Sequence, residues 1–171
     1  MLLPEDTPAP QFELADQFGA ACALSDLRGR RGVALVFFPL AFSPTCTGEW
    51  RSLHESRDLF DAAGVRVVGI SVDSTASLRA YAEREGLDAT LLADFWPHGA
   101  VARRYGAFLE QRGFATRATY LIDAAGIIRA RFATPPGEAR PIDAYRAAIA
   151  TLAATTATAT TAADAVGTGR D

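Results

Sequence analysis

Two runs of this chain, Val33–Phe38 (VALVFF) and Val65–Val72 (VRVVGISV), are continuously apolar and rich in β-branched residues. A strand with one wet face alternates polar and apolar residues, whereas an unbroken run of this length reads as a strand buried on both faces. The stretch between them, from about Cys46 to Ala63, has helical periodicity. Trp50, Leu53, Phe60 and Ala63 share one face, and Gly64 fits a C-cap. A second helix, Thr75–Arg84, follows the second run and is closed by Gly86. This β-α-β-α order predicts an α/β sheet with parallel neighbours.

The flanks extend the pattern. Phe12–Leu14 and Ala20–Leu24, separated by Asp16-Gln17-Phe18-Gly19, predict an N-terminal β-hairpin, and Gly29–Gly32 a loop. Further on come a short strand near Ala89–Leu92 and a short helix ending about Tyr105. Ala118–Asp123 and Ile127–Phe132 form a second hairpin through Ala124-Ala125-Gly126, and a last helix covers about Pro141–Ala153. From Ala154 the sequence is almost only Ala and Thr, then Gly-rich, and it is read as a disordered tail. The folded domain is therefore expected to span residues 1–153, with a tail at 154–171.

Composition excludes several functions. All 17 basic residues are arginine, so lysine Schiff-base chemistry and a lysine-bearing phosphate loop are ruled out. A formal net charge of −3 gives no electrostatic case for nucleic acid or an anionic membrane surface. Pro4 and two acidic residues interrupt any N-terminal signal pattern, and no run approaches a membrane span. The expected location is the cytoplasm. There are two cysteines, Cys22 and Cys46, and two histidines, His54 and His98, without metal-ligand spacing. A reducing compartment argues against a structural disulfide.

Cys46 follows the first buried run and a six-residue loop, Leu40–Thr45, with Pro44 as a helix opener. The free N–H groups and dipole of a helix N-terminus favour an anion, and this is where reactive thiolates are found. Ser43, three residues earlier, can place a hydroxyl beside the sulfur. A lone cysteine in an apolar context is also a common inert core residue, so position alone leaves both readings open. A Cys–His hydrolase is poorly served, since His54 lies on another helical face and His98 reads as a cap for the short helix. A phosphatase Cys-x5-Arg loop fails because position 52 is Ser and Arg51 comes one residue early.

The segment from Pro39 to Cys46 (PLAFSPTC) resembles the peroxiredoxin signature Pro-x-x-x-(Thr/Ser)-x-x-Cys, with Glu49 three residues further on. Arg117–Asp123 (RATYLID) resembles the strand of that family whose arginine completes the site. Phe37–Phe42, Asp94–Val101 (DFWPHGAV) and Tyr105-Gly106 are similar to the one-cysteine alkyl hydroperoxide reductase E type, and the likeness covers about residues 4–153. The resemblance implies a thioredoxin-like fold, a central mixed β-sheet flanked by helices. It implies a thiol-dependent peroxidase acting on hydrogen peroxide, organic hydroperoxides or peroxynitrite.

In that reading Cys46 is the nucleophile, and Arg117 stabilises the thiolate and polarises the peroxide. Ser43 bonds the incoming oxygen, Pro39 shields the sulfur and Glu49 orients the arginine. Attack by sulfur on an O–O bond needs a thiolate, donors for the developing alkoxide and a dry site, and yields a sulfenic acid. No metal, flavin or haem is required. A low-molecular-weight thiol or a thioredoxin-like protein would reduce the sulfenic acid. The likeness also implies a homodimer, for which Phe95 and Trp96 are interface or core candidates. Cys22 departs from the one-cysteine pattern and is either a small buried residue or a resolving cysteine. The rival from another class is a non-catalytic thioredoxin-fold chaperone or binding module.

Overall fold

The computed structural model describes residues 1–28 and 32–166. Strand β3 (Gly32–Phe37) is buried along its whole length. Its side chains split by the period of two: Val33, Leu35 and Phe37 enter one core, Ala34 and Val36 the other. It pairs in parallel with β4 (Val65–Ser71), which pairs in parallel with β5 (Thr90–Ala93). The hairpin β1 (Glu13–Asp16) and β2 (Ala21–Ala23) joins antiparallel to β5. On the other side of β3, β8 (Arg117–Ile122) and β9 (Ile128–Thr134) are antiparallel. The seven-stranded sheet thus runs β2-β1-β5-β4-β3-β8-β9 and is mixed, as the resemblance implies.

One face is covered by α2 (Pro44–Glu55), α3 (Arg57–Ala63), α4 (Thr75–Glu85) and α6 (Ile142–Val166). The other is covered by α1 (Leu24–Arg28), α5 (Ala100–Arg104) and the N-terminal segment. A small hairpin, β6 (Phe108–Leu109) and β7 (Phe114–Ala115), stands apart. Helix α2 lies close on the sheet because β4 carries Gly69, where a Cβ would run into the Trp50 ring.

Several elements differ from the sequence reading. The expected helix over residues 46–63 is two helices, divided at Ser56, and the first begins at Pro44 with Ser43 as N-cap. Helix α1 and the β6–β7 hairpin were not anticipated; both are too short to carry a period. Helix α6 continues past Ala153 to Val166, where a tail without regular structure was expected. Alanine has the highest helix propensity of any residue, so an Ala-rich segment attached to a packed helix extends it. The loop assigned to Gly29–Gly32 falls largely on residues 29–31, and the end of the tail on residues 167–171; both lie outside the described residues.

Candidate active site

The end of β3 and the start of α2 fix the cysteine. After Phe37 the chain passes through Phe38 and Pro39, both buried, and turns at Phe42, a non-glycine residue with φ of 65°. The Ala41 N–H donates to the Asp73 carboxylate at 2.8 Å, and the Ser71 hydroxyl donates to the same oxygen at 2.7 Å, so the loop is pinned to the end of β4. Ser43 caps α2, its Oγ accepting from the Cys46 N–H at 3.4 Å, and Pro44 fills the first turn, where a missing N–H costs nothing. Among the described residues the Ser43 Oγ accepts this bond and donates none, so its proton can be given to a ligand. Cys46 is fully buried, in the core between α2 and the sheet.

One turn along α2, Glu49 is also buried, at 4% exposure. It gathers two buried arginines. Arg117 opens β8, where alternation sends Ala118, Tyr120 and Ile122 to one core and Leu121 to the other, so Arg117 shares the face that α2 covers. Its Nη1 donates to Glu49 Oε2, and its Nε donates to the Pro136 carbonyl at 2.7 Å. Arg140 comes from the loop between β9 and α6. Its backbone N–H and Nε donate to Glu49 Oε1 at 2.7 and 2.9 Å, and its Nη2 to Oε2 at 3.2 Å. Its Nη1 donates to the carbonyls of Phe37 and Ala118, each at 2.9 Å, and to Thr119 Oγ1 at 3.2 Å.

The two arginines are therefore different. Every nitrogen of the Arg140 guanidinium is committed to protein acceptors, tying α2 to the ends of β3 and β8. Arg117 has only Nε and Nη1 engaged among the described residues, leaving Nη2 to meet another oxygen or sulfur. Two guanidinium charges against one carboxylate leave one excess buried positive charge gathered on Glu49, one helical turn from Cys46. An anion at that sulfur would balance it.

The residues singled out in the sequence thus converge: Ser43 on Cys46, Glu49 on the same helix, Arg117 on Glu49, and Pro39 buried in the preceding loop. Arg140 was missed. It sits in Pro135–Pro141, which has no periodicity and no motif, and only the tertiary fold reveals its burial.

Three other expectations are corrected or resolved. The His98 side chain does not cap α5, whose N-cap is Gly99; its Nε2 meets the Gly113 carbonyl at 2.7 Å instead. Phe95 and Trp96 are not core residues, being 54% and 82% exposed. Cys22 and Cys46 pack against opposite faces of the sheet, with Cys22 on β2, four strand positions from β3. At about 4.8 Å per strand, β2 lies some 19 Å from β3, the strand that leads into the Cys46 loop, and both thiols are free.

The family model of AhpC/TSA matches residues 6–131. Alkyl hydroperoxide reductase E of Mycobacterium tuberculosis (strain ATCC 25618 / H37Rv) is 41% identical over 146 residues, covering 85% of this chain and 95% of that protein. Peroxiredoxin Bcp of Escherichia coli (strain K12) is 37% identical over 126 residues, covering 70% of this chain and 79% of Bcp. Among solved structures, peroxidoxin BcpB from Mycobacterium tuberculosis superposes with a TM-score of 0.76 at 27% identity, over 89% of this chain and 97% of its own. The reduced 2-Cys peroxiredoxin of Plasmodium vivax gives 0.75 at 25% identity, over 85% and 79%. The mixed sheet is thus thioredoxin-like, and a protein of this fold and these relatives is a thiol-dependent peroxidase. The chain belongs to the AhpC/TSA family.

Proposed function

We propose that Cys46 is the peroxidatic residue and that Arg117, Ser43, Pro39 and Glu49 form its site, within a catalytic domain of residues 1–153. The observation that carries this is the excess of one buried positive charge gathered on Glu49, one helical turn from a fully buried cysteine. A buried charge without a partner is costly, and a thiolate at Cys46 removes that cost.

The thiolate Sγ attacks one peroxide oxygen. An S–O bond forms as the O–O bond breaks, and the departing oxyanion takes up a proton to leave as an alcohol or water, or leaves as nitrite where the peroxide is peroxynitrite. The free Nη2 of Arg117 and the Ser43 hydroxyl donate to the peroxide oxygens as charge moves onto them. Arg140 positions Glu49, and Glu49 in turn holds Arg117. Pro39, with Phe38 and Ala41, keeps water from the sulfur. The sulfur supplies both electrons and becomes a sulfenic acid.

Substrates of this class are hydrogen peroxide, organic hydroperoxides and peroxynitrite. One thiol condenses with the sulfenic acid, releasing water and forming a mixed disulfide; a second thiol attacks that disulfide and restores Cys46. The position of Cys22 on the opposite sheet face supports an external reductant, a low-molecular-weight thiol or a thioredoxin-like protein. Exposed Leu40, Phe42, Phe95 and Trp96 support a homodimer. Two free cysteines support a reducing compartment such as the cytoplasm.

Trapping with a sulfenic-acid-specific reagent after one equivalent of peroxide tests the assignment. The adduct is expected on Cys46 and absent in Cys46→Ser; an adduct on Cys22 alone would refute it.

A further inference from the structure

Tyr81, on the inner face of α4, is fully buried and touches the chain on both sides of Cys46. Its hydroxyl donates to Thr47 Oγ1 at 3.3 Å, one residue after the cysteine. Its ring stands edge-on to Phe42, four residues before it, at 5.2 Å between centroids and 70° between planes. Phe42 is the left-handed residue of the active-site loop, a conformation that is strained for a bulky side chain. Such a turn persists only where its surroundings hold it. Tyr81 supports the inner side of the ring, and the Arg84 guanidinium lies over it at 5.5 Å.

From this placement we propose that Tyr81 is a positioning residue for the peroxidase reaction. It braces the Phe42 turn and the first turn of α2 as one unit, and its hydroxyl aligns the Thr47 hydroxyl beside the reacting sulfur. The inference rests on Cys46 being the reacting thiol.

The phenol suits this role because it keeps its proton. Burial pushes Tyr81 up to about 12, partly offset by the Thr47 hydroxyl; charges on Cys46 and Glu85 raise it further and Arg51 lowers it. Tyr81 is therefore a neutral donor at any pH at which a thiolate works, and it adds no negative charge to compete with Cys46.

The test is a double-mutant cycle of Tyr81→Phe and Thr47→Val, each keeping the shape and losing a hydroxyl. The readout is the second-order rate with hydrogen peroxide across pH, beside urea unfolding. Tyr81→Phe is expected to slow the reaction about three- to tenfold, the scale of one neutral hydrogen bond. It should also move the acid limb of the pH–rate profile to higher pH, because the Thr47 hydroxyl loses the bond that aligns it. Thr47→Val should do the same, and the double variant should lose little more than either single one.

An unchanged rate and pH profile in Tyr81→Phe would overturn the proposal, even with lowered stability. So would fully additive losses in the double variant. If Tyr81→Phe does not fold, Thr47→Val alone decides, and wild-type kinetics there refute the link. Wild type is the separate control for Cys46: loss of the fast reaction in Cys46→Ser supports that assignment, and wild type no faster than free cysteine overturns both.

Discussion

Glu49 and Cys46 lie one turn apart on α2, so the carboxylate that gathers two buried arginines is fixed to the same rigid element as the sulfur. Strand β8 delivers Arg117 and the β9–α6 loop delivers Arg140, and both converge on that one carboxylate. The position of the charge relative to the sulfur is therefore set by helix geometry rather than by a flexible contact. A site preorganised in this way loses little to reorganisation at the moment of reaction.

The division of labour between the arginines gives a kinetic contrast. Arg117→Ala is expected to lower the second-order rate with hydrogen peroxide by about 10²-fold, the cost of removing one preorganised donor to developing charge. Arg140→Met should act first on stability, removing the bonds that tie Glu49 on α2 to the ends of β3 and β8 and costing about 3–5 kcal/mol in urea unfolding. Equal stability losses without a kinetic difference would show that both arginines are only structural.

Alkaline pH should unfold the protein for an identifiable reason. All four tyrosines are shifted upward, each chiefly by burial, with Tyr81 at about 12. In the unfolded chain a tyrosine loses its proton near pH 10. Above that pH the unfolded state binds fewer protons than the folded one, so stability falls as pH rises. The contribution is fully present below about pH 10 and is lost through the folded values, up to about 12 for Tyr81. The urea midpoint should hold between pH 8 and 9.5 and drop steadily above 10; a flat midpoint to pH 11 would contradict the burial of these phenols.

Cys22 should be a bystander with a distinctive pH response. Burial pushes its thiol up, against the lowering effect of Arg66, with Asp26 and Asp16 adding to the rise. Since the thiolate is the nucleophile, alkylation of Cys22 should be slow at pH 7 and still accelerating above pH 9. Cys22→Ser should leave the peroxide rate and the retention of sulfenic acid unchanged. A Cys22–Cys46 disulfide in peroxide-treated monomer, seen by mass spectrometry, would contradict the placement of the two on opposite sheet faces.

Much of this was legible in the sequence because burial leaves a signature there. The VALVFF run becomes β3, buried on both faces, and Gly64 and Gly86 close their helices in the left-handed conformation. Ser43, Cys46 and Glu49 could be placed because a strand, a proline-opened helix and their spacing fix them locally. Arg117 could be placed through the motif that opens β8. Arg140 could not, since an arginine in a proline- and glycine-bearing loop looks like surface, and only the Glu49 carboxylate makes it a core residue. The break at Ser56 was also invisible, since the Ser56 N–H still bonds Ser52 and the periodicity hardly changes. Continuation of α6 reflects alanine propensity, a local preference that leaves no apolar stripe in the sequence to mark it.

The most direct test of the central claim is rapid mixing of the reduced protein with hydrogen peroxide, followed by tryptophan fluorescence. Trp50 is buried one turn beyond Cys46 and stands edge-on to Phe38 at 5.5 Å, so it reports chemistry at the sulfur. The account predicts a fast change, first order in peroxide, absent in Cys46→Ser and about 10²-fold slower in Arg117→Ala. Thiol consumption no faster than that of free cysteine, or a fast change that persists in Cys46→Ser, would contradict it.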